Sequence, residues 1–343
     1  MGILVTGGAG YIGSHAAHAL VARGERVVVL DNLSTGVKSL APKAAHFELG
    51  DVGDPELLRR LFKQHQIDAV MHFAASIIVP ESIEIPLKYY SNNVSASRNL
   101  IASCVENNVE KFVFSSTAAV YGIPSTNPIN ETAPTAPINP YGRSKLAVEW
   151  MLEDASTAHD LRYVALRYFN VAAVDPGGLG GQPYGPSGHL IRRAAQLALG
   201  RLDHLDVFGT DHPTPDGSPV RDFIHVSDLV DAHILALESL RDGAKSSVFN
   251  CGYGTGSSVF EVIEAFEKIV GRPLRMRSAP RRSGDPSEVI ADSARLRSSL
   301  GWVPKLQSLD AIARSAFEWE RNSVGLPGDH EPETLGRTLV GNE

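Results

Sequence analysis

The chain reads as an α/β protein built on a doubly wound parallel sheet, with a smaller C-terminal lobe. Three observations predict this. Short, almost wholly apolar runs alternate with helix-like stretches through the first half, the pattern of strands covered by helices on both faces. The first run passes directly into a glycine-rich turn, TGGAGYIG, and then into a helical pattern. After residue 170 the texture changes to Pro/Gly-rich loops between short elements, which predicts a second, less regular lobe.

In chain order, the expected strands are Ile3–Thr6, Val27–Leu30, His46–Leu49, Ala69–Phe73 and Lys111–Ser115, each a short β-branched or aromatic run. Helices are expected at Gly13–Arg23, Pro55–His65, Pro86–Asn107 and Tyr141–His159, with Tyr163–Phe169 as a sixth strand of the same sheet. Beyond it, Val174–Ser187 and Thr210–Pro219 read as loops, and Leu190–Leu199, Val226–Leu240 and Val259–Val270 as helices. Val248–Cys251 reads as one more strand and Ala279–Gly284 as a basic loop. The expected division is a sheet domain over 1–173, a lobe over 174–324 interleaved with late sheet elements, and a polar tail over 325–343 that frays.

Composition excludes several classes. With 343 residues, 43% of them hydrophobic and 21% charged, the chain can bury a substantial core. A net charge of −7 argues against nucleic acid or an anionic membrane as partner. The longest apolar run, Val70–Pro80, is interrupted by His72 and Ser76 and is too short to span a bilayer. No charged segment followed by an apolar stretch opens the chain, and Cys104 and Cys251 both sit in apolar surroundings, so a cytoplasmic location is expected. His15 and His18 share a helix turn, but no third ligand at suitable spacing accompanies them, so no metal is expected.

The glycine turn fits Gly7-x-x-Gly10-x-x-Gly13 or, overlapping it, Gly8-x-Gly10-x-x-Gly13. Either spacing removes Cβ atoms where a backbone must approach a pyrophosphate and aims a helix N-terminus at that charge. Asp31 ends the second strand, where a carboxylate accepts hydrogen bonds from an adenosine ribose and repels a 2′-phosphate. Together they predict a Rossmann-type domain that binds NAD rather than NADP. Asp51, at the end of the third strand, is placed to reach the adenine, although a strand-end Asp also serves as a cap.

FSSTAAVYG follows the fifth strand at its carboxyl end, where open parallel sheets bind ligands, and supplies the hydroxyls of Ser115, Ser116 and Thr117. NPYGRSKLAVEW places Tyr141 and Lys145 four residues apart on one helix face. A phenol is a poor base at neutral pH; a nearby ammonium and a positive nicotinamide both favour the phenolate. Thr117 can hydrogen-bond the substrate oxygen and Lys145 the nicotinamide ribose. The set suits removal of a proton from an alcohol whose hydride leaves for NAD⁺.

These residues resemble the extended short-chain dehydrogenase/reductase family and, within it, the UDP-glucose/UDP-galactose 4-epimerases. The resemblance runs from about Met1 to Trp319 and includes VTGGAGYIGSH, LDNLS, HFAA, PLKYYSNN, FSSTAAVYG, PYGRSKLAVE, LRYFN, VRDFIHV and APRRSGD. It implies a redox-neutral exchange at sugar C4 through a 4-keto sugar, with Tyr141, Lys145, Thr117 and Ser116 as catalytic residues. It assigns Tyr11 and Ile12 to the pyrophosphate, Asp31 and Asn32 to the ribose, and Asp51 and Val52 to the adenine. Phe73, Ala74, Asn92, Ser115 and Phe169 complete the cofactor groove. Asn170, His189, Leu190, Arg221, Arg282 and Asp285 would hold the UDP part, two arginines suiting a diphosphate. Relatives pair through helices like 86–107 and 141–159, which implies a homodimer.

Two positions depart from the family pattern: Ile77 stands where many members carry a lysine, and His189 where an asparagine is common. A third, Val289, aligns with a bulky gate residue, and its small side chain implies room for a 2-acetamido group. Rival readings are a 4-epimerase of a UDP-pentose or UDP-glucuronate, a 4,6-dehydratase or decarboxylase, and a non-catalytic dinucleotide-binding regulator. Ala118 and Ala119 cannot protonate a leaving hydroxyl, which disfavours the dehydratase, and the intact Tyr/Lys pair disfavours the regulator.

Overall fold

A computed structural model describes residues 1–178, 180–183, 189–282 and 284–323; the tail expected over 325–343 lies outside them. The first half alternates as read: β1 (Gly2–Thr6), α1 (Tyr11–Ala22), β2 (Val27–Asp31), β3 (His46–Leu49), α2 (Pro55–His65) and β4 (Ile67–His72). There follow α3 (Val79–Glu84), α4 (Pro86–Tyr89), α5 (Ala96–Glu106), β5 (Lys111–Ser115), α6 (Pro140–Ala158) and β6 (Arg162–Tyr168). The strands alternate their side chains between two apolar layers, which is why they read as continuous hydrophobic runs. Ile3, Val5, Val27 and Val29 enter one core, while Leu4, Val28 and Leu30 enter the other. The covering helices carry one apolar face each. In α2, Leu57, Leu58, Leu61 and Phe62 are buried, and Asp54 caps the helix by accepting from the amides of Glu56 and Leu57.

Where one helix is expected over 86–107, the chain forms α4 and α5 joined by a π-helical stretch, Tyr90–Ser95. Apolar periodicity does not register the extra residue per turn, and such stretches recur at functional sites. Here it turns Asn93 inward, where its side chain bonds the backbone of Ser76 and the hydroxyl of Ser144.

The second half holds β7 (Asn170–Ala172), α7 (Leu190–Ala198), β8 (Leu205–Phe208), β9 (Val220–Arg221), β10 (Phe223–His225), α8 (Val226–Arg241) and β11 (Ser247–Cys251). It ends with β12 (Ser257–Ser258), α9 (Val259–Val270), β13 (Met276–Ala279), β14 (Glu288–Val289), α10 (Ala294–Leu300) and α11 (Leu309–Asn322). The central sheet has seven strands in the order β11-β6-β5-β4-β1-β2-β3, all parallel. Its order reverses between β1 and β4, so the crevice at their carboxyl ends is where a ligand is expected. β11 returns from the second half to pair with β6, and α8 packs on β5, β6 and α1, so the second half contributes both a strand and a covering helix to the sheet. The remaining short strands form three small sheets, with β9 between β12 and β14, β10 beside β7, and β13 beside β8. Among the described residues, no helix is long and apolar enough to cross a membrane.

Candidate active site

The β1–α1 turn owes its shape to its glycines. Gly7 has φ +69°, and a Cβ on it would sit 2.6 Å from the amide nitrogen of Ala74. A Cβ on Gly13 would sit 2.2 Å from the carbonyl oxygen of Gly7, whereas one on Gly10 would meet only that oxygen, at 3.2 Å. Gly10 is the N-cap of α1 and supplies no side chain to its free amides. An open helix N-terminus with no Cβ in the way is a cradle for an anion such as a pyrophosphate. Gly13→Ala is expected to lower the melting temperature by about 5 °C, since overpacking against backbone costs roughly 1–3 kcal/mol; thermal denaturation checks it, and an unchanged midpoint would show that the turn can yield.

Asp31 stands beside this cradle, 8% exposed. Its carboxylate accepts from the amides of Ala9 at 2.9 Å and Leu33 at 2.8 Å, and a Cβ on Gly36 would come within 2.8 Å of it. Asn32 donates to Asp51 at 3.1 Å, and Asp51 accepts the Gly53 amide at 2.7 Å, so the ends of β2 and β3 form one polar rim over the buried Val52. Tyr11 turns its hydroxyl to the carbonyl of Ala173, and the side chains of Tyr11 and Ile12 pack against the main core. The residues present therefore fit a dinucleotide: open amides for the phosphates and a fixed carboxylate for a ribose.

Along the crevice, Phe73 follows β4 and its ring lies 4.9 Å from that of His233. Ala74 packs against Gly7, and Asn92 donates to the Ser76 hydroxyl at 3.1 Å. Ser115, at the end of β5, bonds Tyr168 and His233, both at 3.2 Å.

Helix α6 begins at Pro140, capped by Asn139, which accepts from the Gly142 amide at 2.8 Å. Tyr141, Lys145 and Glu149 then occupy successive turns of its buried face. The Tyr141 phenol lies beside the Thr117 side chain, which acts to lower its pKa. Lys145 is 2% exposed; its Nζ donates to the Ser115 carbonyl at 2.7 Å and lies 4.7 Å from the centre of the Phe114 ring. The expectation that the ammonium lowers the phenol's pKa is not met by the protein's own groups. Burial raises the Tyr141 pKa and only the Thr117 side chain opposes it. Lys145 is itself pulled down to about 7 by burial, against the attraction of Glu149.

Ser116 behaves differently from its neighbours. It is fully buried, and its hydroxyl donates to Glu149 rather than facing the crevice. Glu149 also receives Arg167, through Nη2 at 2.6 Å and Nε at 3.1 and 3.2 Å. Sequence reasoning missed Glu149, Arg167, Asn93 and His233. Only Glu149 carried a signal, as the next position on the Tyr141–Lys145 face.

On the lobe, β14 runs parallel to β9 with Val289 opposite Arg221. Arg221 donates to Asp285 and, at 2.8 Å, to the Pro286 carbonyl. Arg282 stacks 4.0 Å from the Phe208 ring centre. A cavity of about 450 Å³ opens beside Asp285, lined also by His212, Arg281 and Glu288. Phe169 packs with Val120, Tyr121, Leu146 and Ala291, and Val289 lies against that cluster, which brings the expected gate beside α6. Asn170 is exposed at the start of β7, and His189 and Leu190 open α7. The fold thus gathers the glycine turn, Asp31 and the Thr117–Tyr141–Lys145 group at the carboxyl ends of one sheet, and sets Arg221 and Val289 on paired strands with Asp285 in the loop before β14.

Comparison with known proteins agrees with this arrangement. Residues 3–252 match the model of the "NAD dependent epimerase/dehydratase family". A UDP-glucose 4-epimerase of Azospirillum brasilense is 54% identical over 329 residues, covering 95% of this chain and 94% of its own. The crystal structure of UDP-glucose 4-epimerase from Brucella ovis in complex with NAD is 44% identical, with a TM-score of 0.90, over 92% of this chain and 97% of its own. The UDP-Glc/GlcNAc 4-epimerase from Campylobacter jejuni is 48% identical, with a TM-score of 0.81, over 93% and 98%. A seven-stranded parallel sheet with an open glycine turn, a strand-end Asp31 and a buried Tyr141–Lys145 pair, found together with these matches, shows that the chain belongs to the NAD dependent epimerase/dehydratase family.

Proposed function

We propose that the protein is an NAD-dependent 4-epimerase that interconverts UDP-galactose and UDP-glucose. The observation that carries this is the buried Tyr141–Lys145 pair of α6 beside Thr117 at the carboxyl end of β5, on the sheet whose order reverses at the glycine turn. The 54% identity to a UDP-glucose 4-epimerase supports the sugar.

In this reading Gly7, Gly10, Gly13, Tyr11 and Ile12 hold the dinucleotide phosphates through backbone. Asp31 and Asn32 hold the ribose, Asp51 and Val52 the adenine, and Phe73, Ala74, Asn92, Ser115 and Phe169 the remaining wall. These lie within 1–173; apart from Asn170, the residues assigned to the UDP part lie within the expected lobe, 174–324. Bound NAD supplies a hydride acceptor and donor for sugar C4, and its positive ring favours the Tyr141 phenolate. Tyr141 takes the 4-hydroxyl proton and returns it, while Thr117 bonds the same oxygen and fixes its direction. Lys145, anchored on the Ser115 carbonyl, orients the nicotinamide ribose. Asn170, His189, Leu190, Arg221, Arg282 and Asp285 hold the UDP group, so that the sugar can present either face without release. Arg221, fixed by Asp285, is pre-organised as a planar donor for a diphosphate.

The test is incubation with UDP-galactose and no added cofactor, followed by chromatographic separation of products. UDP-glucose formed without net NADH supports the reading; no conversion, or accumulation of NADH with a keto product, overturns it. The same assay with UDP-N-acetylglucosamine tests the small Val289. Conversion to UDP-N-acetylgalactosamine is expected, in line with the dual specificity in the name of the Campylobacter jejuni neighbour, and its absence at high enzyme concentration removes this extension.

We also infer a homodimer in a reducing, cytoplasmic setting. Two free cysteines are buried, and α4–α6 leave Leu87 79% and Trp150 57% exposed, large apolar side chains suited to a second copy. Sedimentation is expected to give a dimer for the native chain and a monomer for Leu87→Glu/Trp150→Glu; a monomeric native chain would refute the pairing.

A further inference from the structure

We propose that Glu149 is a positioning residue of this reaction, gripping the loop that carries Thr117 so that Thr117 stays at a fixed place relative to Tyr141. The inference rests on the reading of Tyr141 as the base. One helix bears both groups: Tyr141 stands at the start of α6, and Glu149 two turns later on the same buried face. Glu149 accepts the hydroxyl of Ser116, the residue before Thr117. It is 4% exposed and Ser116 is 0% exposed, so the bond forms away from solvent, where such contacts are strong.

The grip is itself anchored. Arg167 of β6 grasps Glu149 by Nε and Nη2, and its Nη1 donates to the Tyr121 hydroxyl at 3.0 Å. Tyr121 in turn donates to Asn250 of β11 at 2.7 Å. One chain of hydrogen bonds therefore ties four segments together: the loop after β5, α6, β6 and β11. A buried ion pair is weak evidence for stability, since apolar side chains of similar volume often serve as well or better. Its bond to Ser116, the residue before Thr117, and its place one turn beyond Lys145 give it a use that stability alone does not. Ser116, read from the sequence as catalytic, acts in this scheme through Glu149 and does not touch the sugar.

The test is steady-state kinetics of the holoenzyme on UDP-galactose, with thermal denaturation of each variant. Ser116→Ala leaves the Glu149–Arg167 pair in place and is expected to lower kcat about tenfold with KM within about twofold, because geometry at the reacting oxygen is lost and binding is not. Ser116→Thr, which restores the hydroxyl, is expected to recover kcat to within about twofold. Glu149→Gln is expected to lower kcat at least as far; should it fail to fold, Ser116→Ala decides alone. Ser116→Ala with native kcat and only a lowered melting temperature overturns the proposal, as does a loss confined to KM. Tyr141→Phe is the separate control: substantial activity there would sink the reading of Tyr141 as the base, whereas an inactive Tyr141→Phe beside a fully active Ser116→Ala would sink this one.

Discussion

Tyr141→Phe is expected to lower kcat about a thousandfold while the dinucleotide stays bound. The substitution removes one oxygen from a side chain that is 8% exposed and leaves the ring to fill the same space. Loss of the polar contact with Thr117 costs at most about 1 kcal/mol, so the fold persists. Proton transfer by a positioned group contributes about 10² to 10⁴ in rate, and no other protein group with a titratable hydroxyl is paired with Thr117 among the described contacts. Absorbance of the purified variant at 260 nm relative to 280 nm reports the retained dinucleotide, and chromatography reports the sugar. A variant that turns over at a tenth of the native rate or better would mean that another group is the base. Burial raises the phenol's pKa, so in the proposed reaction the positive charge that favours the phenolate arrives with the cofactor.

The second large effect is on stability in acid. Four buried histidines are held neutral by the fold: His72 is lowered to about 3, and His15, His225 and His233 to about 4, each mainly by burial. Burial refuses the proton, and the hydrogen bonds hold the neutral rings in place. His15 donates from Nδ1 to the Tyr11 carbonyl at 2.8 Å and accepts the Asp175 amide on Nε2 at 3.3 Å. His225 accepts the Ser227 amide on Nδ1 at 3.1 Å, and His72 spans the hydroxyls of Thr6 and Ser97 at 2.6 and 2.7 Å. Folded pKa values below the unfolded one mean that the unfolded chain binds more protons between about pH 6.5 and 4, so stability falls as pH falls through that window. Each group contributes up to about 1.4 kcal/mol per pH unit, and the four together up to about 5 near pH 5, comparable with the whole stability of an ordinary domain. Asp222, whose carboxyl is raised by burial, works in the opposite direction but is a single group. A fall in melting temperature of roughly 10 °C between pH 6 and pH 5 is expected. Calorimetry across that range checks it, and a flat profile would show that these rings take up protons without unfolding the chain.

The sequence by itself determined the sheet, the glycine turn and the Tyr141–Lys145 pair. Each depends on residues close together in the chain: continuous apolar runs for the strands, missing Cβ atoms in one turn, and a four-residue spacing on one helix face. The tertiary structure alone decided how those parts are held and charged. Ser116 meets Glu149 across 33 positions, Asn93 meets Ser144 across 51, and Arg221 meets Asp285 across 64. No local period encodes such pairs, because their partners are chosen by how the sheet and lobe bring distant segments together. The same holds for Lys145, whose pKa near 7 is set by how deeply α6 is buried, and burial is a property of everything packed around a group rather than of its neighbours in sequence.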